Sequence, residues 1–475
     1  MKIKFYGACK TVTGSCFLVE TKDTRILIDC GMYQGNKIIK ERNYGEFLFD
    51  PYSIDFLILT HAHIDHSGLI PKLIKKGFKG PIIATKATID LCSIMLPDSG
   101  YIQEIEVERK NRKLARAGKE LLEPIYDHLD ATRAIMQFKS IDYDLQIKLS
   151  PTVYIRLRDA GHILGSAIVE MWVVEENKTT KLVFSGDLGN YNQPIIKDPT
   201  IIDEADYLIM ESTYGNRLHQ NLGDKKEILL KIIKDTFERG GNVIIPAFAV
   251  ERTQDLLYYL GELEQERRLP QCEIVIDSPL AISASEIFNI SAQYYDEEAQ
   301  EIYKQLGRSP IMLNNLRMAR SREESVMLNE KKSGTIIISA SGMCDAGRIK
   351  HHLKHNLWRP ESSVVFVGYQ APGTLGRMIL DGKEVVRIHG EEIAVKAKIY
   401  NMDGFSGHAD KKALLKWVES FERKPKKIFL VHGELEDMEK FKLELEANLG
   451  LNVEIPEWQQ CFDTDLQQSQ PVEAK

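Results

Sequence analysis

The stretch THAHIDHSGLI, residues 60–70, places three histidines and an aspartate within six positions: His61, His63, Asp65 and His66. The chain has only 12 histidines in 475 residues, and chance assembly of this pattern is about one in two thousand. The preceding DFLILT is typical of a buried strand, and residues two apart in an extended segment face the same way. We therefore expect His61 and His63 to bind one ion. Asp65 and His66, where the chain turns, would bind a second, and imidazole and carboxylate are natural zinc ligands.

Three later segments repeat the layout of an apolar strand followed by a metal-binding side chain. They are RDAGHILGS with His162, LVFSGDLGN with Asp187 and KKIFLVHGE with His432. Glycines lie close to each of these side chains and let the backbone approach a ligand. Each segment is a weak signal alone, but together they supply the further ligands that two ions need.

Composition and charge describe an ordinary globular chain. Apolar residues make up 43% and charged residues 28%, and the net charge is −7. The length predicts two domains, and no apolar run is long enough to span a membrane. The seven cysteines are scattered without a CxxC pair, which indicates reduced thiols and a cytoplasmic protein. The overall charge gives no sign of a nucleic-acid binder, so any such attraction must be local.

The pattern of apolar and charged residues, and with it the predicted secondary structure, changes along the chain. The first 85 residues or so read as short strands with tight turns, a charged helical segment follows to about residue 139, and strands then return. From about residue 220, long helical segments alternate with short buried strands, which is typical of a parallel sheet with crossover helices. The central block is thus a second domain. It is an insertion if His432 completes the first site.

Seven motifs in order resemble those of a known family. Four are similar to the motifs of the metallo-β-lactamase fold: DCG with Asp29, HAHIDH, AGHILGS and FSGDLG. Three more resemble those of the β-CASP nucleases: ESTYG with Glu211, GFSGHAD with His408 and VHGE with His432. The β-CASP nucleases include relatives of the cutting subunit of the cleavage and polyadenylation specificity factor. LPDSGYIQE and GYQAPGTLGR resemble the bacterial and archaeal members.

The resemblance implies the fold and its division. We expect an α/β protein: a metallo-β-lactamase αββα sandwich with an inserted parallel-sheet α/β domain, the β-CASP domain. Residues 1–212 would form the first part of the sandwich domain, residues 213–394 the insertion, and residues 395–475 the completion with a loose C-terminal tail. By analogy with relatives, a homodimer is a further expectation.

The resemblance also implies the site. Two zinc ions per chain would be bound, one by His61, His63 and His162 and the other by Asp65, His66 and His432. Asp187 would bridge them. Asp29 would orient the ligands and a bound water, so Asp29 and Asp65 join the catalytic set. Two such ions, about 3.5–4 Å apart, suit phosphodiester hydrolysis because they provide a nucleophile and clamp a phosphate oxygen.

Three further residues would take part in catalysis. His408 is the expected general acid for the departing 3′ oxygen, since its pKa suits proton transfer near neutrality. Glu211 would hold the other ring N–H of His408. Ser406 would either contact the scissile phosphate or cap the helix that begins near Asp410, and Asp410 itself is the alternative cap. The products would carry a 5′-phosphate and a 3′-hydroxyl.

The second domain would grip the RNA strand. Ser341 and Arg348 belong to the glycine- and serine-rich SASGMCDAGR, and Arg377 ends APGTLGR. These loops are either phosphate cradles or plain turns. His351, His352 and His355 are expected to form a surface patch, with RNA contact as the alternative.

The full ligand set with an inserted domain favours a zinc-dependent endoribonuclease acting on single-stranded RNA, in RNA processing or decay. A DNA nuclease of the repair branch is an alternative, although that branch carries Val where this chain has His432. A 5′–3′ exoribonuclease of the ribonuclease J type is another. That group carries an extra C-terminal domain, and we expect too few residues after His432 for one. A catalytically silent scaffold would have lost ligands, and a small-molecule hydrolase would lack the insertion.

Overall fold

The computed structural model describes residues 1–219, 223–402 and 406–471. The chain forms two compact units. The first unit comprises Met1–Asn192, Lys197–Leu218 and His408–Lys475, and the second comprises Gln193–Ile196 and His219–Gly407. The second unit thus extends beyond the insertion expected at 213–394. Its last strand, Lys398–Asn401, pairs in parallel with Ser363–Phe366, which joins the segment after residue 394 to the second unit.

Two β-sheets form the centre of the first unit. Within the described residues, one sheet has eight strands, in the order Gln468–Pro471, Gln460–Asp463, Lys2–Phe5, Phe17–Glu20, Arg25–Ile28, Phe56–Ile58, Ile82–Ala84 and Phe138–Ser140. The other has seven, in the order Val453–Glu454, Lys427–Val431, Tyr207–Glu211, Lys178–Phe184, Ala167–Glu175, Val153–Asp159 and Ile147–Lys148.

The two sheets face one another across a single hydrophobic core. The ring of Phe5 in the first sheet lies 5.0 Å from that of Phe429 in the second, measured between centroids. Phe17 and Phe184 meet across the same interface at 6.2 Å. Because side chains alternate along a strand, Phe429 points into this core while its neighbour Leu430 packs on the outer face of the second sheet.

Helices cover the outer faces of the sandwich. Leu414 and Trp417 of helix Lys411–Glu419 pack with Leu430 in a second hydrophobic cluster. The long helix Lys86–Arg116 contacts the edge strand Phe138–Ser140 of the first sheet. This arrangement confirms the expected mixed α/β sandwich. The remaining helices of the first unit are Lys37–Glu41, Ile64–Ser67, Ile70–Lys75, His128–Ala134 and Leu435–Leu449, with single 3₁₀ turns at Pro51–Ser53 and Ile135–Gln137.

The second unit is built on a parallel sheet, as its alternating pattern predicted. Within the described residues, the strands of this sheet all run parallel, in the order Leu316–Met318, Glu273–Ile276, Thr335–Ser339, Val243–Pro246, Ser363–Phe366 and Lys398–Asn401. A separate hairpin pairs Val385–Ile388 with Glu391–Ala394. The helices are Lys225–Glu238, Arg252–Gln265, Pro279–Ile290, Glu297–Leu306, Arg322–Met327, Ile349–Asn356 and Leu375–Leu380, with 3₁₀ turns at Ala292–Tyr294 and Leu328–Glu330. Across the described part of the chain, no helix combines the length and apolarity needed to cross a membrane.

Candidate metal centre

The polar motifs of the first unit lie where parallel strands end. In the first sheet, Arg25–Ile28 precedes Asp29, and its parallel neighbour Phe56–Ile58 leads to His61. In the second sheet, three neighbouring parallel strands lead to Asp187, Glu211 and His432. The carboxyl ends of parallel strands meet at one edge of a sheet, so residues far apart in sequence are brought together by topology.

One group of potential ligands consists of His61, His63, His162 and Asp187, whose ligand atoms all lie within 4.8 Å of one another. His61 Nε2 lies 3.1 Å from His63 Nδ1, and His162 Nε2 lies 3.2 Å from the same atom. The Oδ2 atom of Asp187 lies 3.4 Å from His61 Nε2. His61 and His63 therefore converge as the extended chain predicted.

A second group consists of Asp65, His66 and His432. His66 Nε2 lies 3.4 Å from His432 Nε2, and His432 Nε2 lies 3.4 Å from Asp65 Oδ2. His66 and His432 are separated by more than 360 positions in sequence. The seven residues expected to bind two ions are thus brought together in two groups, with the membership that the resemblance implied.

Asp187 lies between the two groups. Its Oδ2 faces His61 and His162, while its Oδ1 lies 3.3 Å from His66 Nε2. The Oδ1 atom is buried and has no hydrogen bond of good geometry among the described residues. A buried carboxylate oxygen without such a partner is costly unless a cation completes it. This orphaned oxygen and the imidazole and carboxylate donors around it fit divalent metal ions.

Asp29 and Thr60 contact the Nδ1 atoms of two of these imidazoles, His66 and His61. Asp29 Oδ2 lies 2.7 Å from His66 Nδ1, which leaves Nε2 directed at the cluster. Asp29 also accepts hydrogen bonds from the backbone N and the Oγ1 of Thr60. Thr60 Oγ1 in turn lies 3.1 Å from His61 Nδ1. Such partners fix the orientation of metal-binding histidines and raise their basicity.

Two hydroxyl groups that sequence reasoning missed support the remaining histidines. Thr213 Oγ1 lies 3.0 Å from His432 Nδ1, and Ser166 Oγ accepts a hydrogen bond from the backbone N of His162. Thr213 belongs to ESTYG and Ser166 to AGHILGS, so both sit inside motifs that the sequence had already singled out. Only their membership of those motifs could have indicated them.

The backbone of the cluster is tightly constrained. Asp29 and His432 both adopt left-handed conformations, with φ of 58° and 51°. Residues other than glycine rarely do so, and such strain is concentrated at functional sites. A Cβ atom on Gly31 would lie 1.6 Å from the carbonyl oxygen of Asp65. The glycine of DCG is therefore required for the first strand end to approach the HAHIDH turn.

The pKa values within the cluster are set by burial and by the close pairing of imidazoles with carboxylates. Burial would lower the pKa of His66, but the Asp187 and Asp29 carboxylates outweigh it and raise that pKa well above its ordinary value. Burial, reinforced by neighbouring imidazoles, lowers the pKa of His61 well below its ordinary value, and burial lowers the pKa of His63 to about 4. Both rings therefore present neutral lone pairs. Burial would raise the pKa of Asp187, but the His432 and His66 imidazoles hold it well below its usual range. Similarly, His432 outweighs burial and lowers the pKa of Asp65 to about 2.

His408 and Glu211 form a pair beside the cluster. His408 lies in an isolated antiparallel bridge with Gly189, and its Nδ1 is 3.3 Å from Glu211 Oε1. Glu211 is buried and also accepts a hydrogen bond from the backbone N of Leu188 at 2.6 Å. Burial lowers the pKa of His408, but the Glu211 carboxylate outweighs it and the pKa is raised to about 9. Glu211 therefore favours the protonated imidazole.

The helix after His408 is capped by Asp410, the alternative to Ser406. Asp410 is the N-cap of Lys411–Glu419, and its side chain accepts a hydrogen bond from the backbone N of Ala413 at 2.9 Å. Ser406 belongs to the second unit and stands two positions before His408. Of the motif GFSGHAD, residues 404 and 405 lie outside the described residues.

The residues expected to contact RNA phosphates have internal partners. The guanidinium of Arg348 donates to Asp277 Oδ1 at 2.7 Å and to the backbone oxygens of Ala319 and Arg320. Arg377 Nε donates to Asp381, although its side chain is nearly half exposed. Ser341 Oγ lies 3.4 Å from both the backbone N and O of Ala346, as in a loop closed on itself.

The expected surface patch of histidines is wrong for His352. This side chain is fully buried, and its Nε2 lies 2.6 Å from Asp277 Oδ2. It lies on the inner face of helix Ile349–Asn356, which packs on the sheet of the second unit. Its neighbour His351 is instead stacked on His389, with ring centroids 4.5 Å apart.

Three family descriptions match consecutive parts of the sequence. The Metallo-beta-lactamase superfamily matches residues 10–246, the Beta-Casp domain matches residues 253–379, and the Zn-dependent metallo-hydrolase RNA specificity domain matches residues 392–456. The first and third include all seven residues of the two ligand groups. Together the three descriptions extend over most of the chain.

Similar proteins occur in bacteria and archaea. The chain is 37% identical to Ribonuclease TTHA0252 of Thermus thermophilus, over 92% of this chain and 94% of that protein. It is 32% identical to the transcription termination factor FttA of Methanocaldococcus jannaschii, over 91% of this chain and 67% of that protein. A crystal structure of a protein of unknown function from Enterococcus faecalis V583 is similar with a TM-score of 0.54 and 14% identity, over 97% of this chain and 99% of that one. At that identity the likeness concerns the fold alone.

Proposed function

Since this chain belongs to the metallo-β-lactamase superfamily and carries a Beta-Casp domain, we propose that it is a zinc-dependent endoribonuclease of single-stranded RNA. It is a metal-dependent hydrolase that acts on RNA, and the proposal adds the metal, the mode of cleavage and the products. The observation that carries it is Asp187, whose two oxygens face two separate groups of ligands. A carboxylate placed in this way suits a pair of cations held side by side.

The ligand groups divide between two ions. His61, His63 and His162 would hold one, Asp65, His66 and His432 would hold the other, and Asp187 would contact both. When bound, such ions supply a nucleophile at neutral pH and neutralise the charge that develops on the phosphate. Asp29 and Thr60 keep the rings of His66 and His61 oriented, so the ligands are preorganised before an ion arrives.

His408 acts on the leaving group. Glu211 accepts the Nδ1–H of His408 and keeps the ring protonated, as the raised pKa indicates. The Nε2–H is then the proton that His408 gives to the departing 3′ oxygen. Attack of the nucleophile forms a new P–O bond and breaks the P–O3′ bond. The departing 3′ oxygen takes the proton of His408 and becomes a 3′-hydroxyl, and the other product keeps the oxygen of the nucleophile in its 5′-phosphate. Glu211 itself does not exchange a proton in this step, since its role is to orient and charge the ring.

RNA is favoured over the alternatives by two observations. The similar protein from Thermus thermophilus is named a ribonuclease, and residues 392–456 match an RNA specificity domain. His432 also stands where the DNA-repair branch carries Val. A 5′–3′ exonuclease mode, a role for Ser406 at the scissile phosphate, a homodimer and a cytoplasmic location stay predictions.

The decisive experiment uses purified protein and RNA labelled at its 5′ end, with and without a metal chelator. We expect discrete internal cuts, products with 5′-phosphate and 3′-hydroxyl ends, and loss of cleavage on chelation. Release of single nucleotides from the 5′ end would instead favour the exonuclease. Stronger cleavage of a matched DNA strand than of RNA would contradict the proposal.

A further inference from the structure

Two exposed aromatic residues lie at the carboxyl edge of the parallel sheet in the second unit. Strands Val243–Pro246 and Ser363–Phe366 are neighbours in that sheet, and shortly after them come Phe248 and Tyr369. Phe248 is 39% exposed and Tyr369 is 46% exposed. In open α/β sheets ligands bind outside the carboxyl ends of the strands. Exposed aromatic rings at that edge therefore indicate a ligand-binding surface more strongly than exposed rings elsewhere on the protein.

The ring of Phe248 rests on glycine backbone. A Cβ atom added to Gly342 would lie 3.0 Å from Cδ2 and Cε2 of this ring, and one added to Gly368 would lie 3.5 Å from Cε2. The Cδ2–Cε2 side of the ring therefore packs against two residues without side chains. Phe248 as a whole nevertheless keeps 39% of its surface exposed.

The support beneath the ring is fixed in place. The buried Gln370 side chain donates from Nε2 to the backbone oxygens of both Gly342 and Gly368, at 2.9 and 3.0 Å. Thr253 Oγ1 donates to the backbone oxygen of Phe248 at 2.8 Å. A ring held in this way loses little conformational entropy when a flat ligand stacks on it.

Apart from Tyr369, the exposed residues described in the neighbouring loops are small or charged and do not include a large apolar side chain. Exposed Asp345, Ala346 and Gly347 belong to the loop next to Gly342, and exposed Pro372 and Gly373 follow Tyr369. A protein partner generally needs a larger contiguous apolar surface. A single planar group needs only a ring face, and Arg377 on the helix Leu375–Leu380 supplies a partly exposed positive charge for an attached phosphate.

We infer that Phe248 and Tyr369 are a stacking platform for unpaired bases of single-stranded RNA. The inference rests on the proposed function and deepens it, because it names residues that position the strand. Stacking on aromatic side chains tolerates every base, since each base has a π-face. The platform would therefore contribute affinity for unpaired strands without selecting a sequence, and a base in a duplex would be excluded because it is already stacked.

The test compares Phe248→Leu, which keeps apolar volume but removes the π-face, with Phe248→Trp, which restores it. Loss of one stacked base corresponds to a rise in KM of about five- to hundredfold. We expect this rise in the Leu variant with kcat changed less than twofold, and recovery in the Trp variant. Tyr44→Leu, at a 59% exposed position of the first unit, is the matched control and should leave KM unchanged.

A spectroscopic measurement keeps the platform distinct from the chemistry. RNA carrying 2-aminopurine is bound to the metal-loaded His408→Ala protein, and its fluorescence should be quenched at one or two positions of the strand. The quenching should disappear when Phe248→Leu is added. A Phe248→Leu protein with unchanged KM and unchanged quenching would overturn the platform while leaving the ribonuclease intact. Failure of the wild-type protein to cleave RNA would overturn the proposed function, and the quenching would still test the platform.

Discussion

The carboxyl edges of the parallel strands carry different chemistry in the two units. In the first unit the edge presents imidazoles and carboxylates that are mostly buried, with Asp187 and His61 at most 2% exposed. In the second unit the edge presents glycine loops and the partly exposed ring of Phe248. The same topological position thus serves two purposes. A cation must be enclosed by donors at fixed distances, whereas a long flexible strand needs an open surface on which to lie.

This difference predicts how each edge responds to substitution. Buried donors around an ion act as a unit, so the loss of one is expected to remove nearly all activity. Contacts on an open surface are many and individually weak, so the loss of one is expected to change binding by a modest factor. The following experiments proceed from the first kind of effect to the second.

Asp187→Asn should have the largest effect. The amide cannot bridge two cations as a carboxylate does, so we expect a fall in kcat of at least about 10⁴-fold, together with a lower metal content per chain. Activity is measured on single-stranded RNA and metal content by mass spectrometry. His128→Ala, at an exposed histidine of the same unit, controls for a substitution of a polar side chain outside the cluster. An Asp187→Asn protein within tenfold of wild type would mean that the two groups do not act together.

His408→Ala separates proton transfer from metal binding. Because His408 belongs to neither ligand group proposed above, metal content should stay unchanged while kcat falls by about 10²–10⁴-fold, the usual contribution of a general acid. The same metal analysis and RNA assay apply. If His408→Ala lost metal in proportion to activity, the residue would be a ligand and its assignment as the acid would be wrong.

Glu211→Gln tests the electrostatic role of the carboxylate through pH. The pKa of His408 is raised to about 9 beside Glu211, and the acid acts only while protonated, so activity is retained below that pKa and lost as pH rises through it. Bound cations nearby lower the same pKa and move this loss to lower pH. Removing the carboxylate should move the descending limb of the kcat profile further down by about 1–3 units. An unchanged limb in the variant would rule out this role.

Arg377→Ala should have the smallest effect on RNA binding, at the open edge of the second unit. Its partly exposed guanidinium can contact phosphate, so we expect KM to rise about two- to fivefold at low salt and the difference to vanish at high salt.

Arg348→Ala provides the contrast, because the guanidinium of Arg348 holds the buried Asp277. That change should lower the free energy of unfolding by about 1–3 kcal/mol. If Arg348→Ala instead raised KM without altering stability, its role would be phosphate binding as the sequence suggested.

The sequence was informative where side-chain chemistry is specific. A dense cluster such as HAHIDH has few structural explanations, and the seven residues expected to bind metal do lie in two groups. The alternation of helices and strands likewise predicted the parallel sheet of the second unit. Both signals depend on residue type and spacing, which a single sequence contains in full.

The sequence was uninformative where one residue type has two uses. Arg348 was a candidate for a phosphate contact and His352 for a surface patch, yet both turn towards Asp277, which lies more than 70 positions earlier. Only the packing of a helix on the sheet reveals that partner. Thr60 and Thr213 were missed because the sequence does not show which way an imidazole ring is oriented. Their contacts with His61 and His432 therefore became visible only in the structure.

The most direct test of the two-ion site is anomalous diffraction from crystals of the protein grown with zinc. The account predicts two peaks about 3.5–4 Å apart, one beside His61, His63 and His162 and the other beside Asp65, His66 and His432, with one oxygen of Asp187 directed at each. A single peak that leaves one group of ligands empty, or two peaks that Asp187 does not contact, would contradict it.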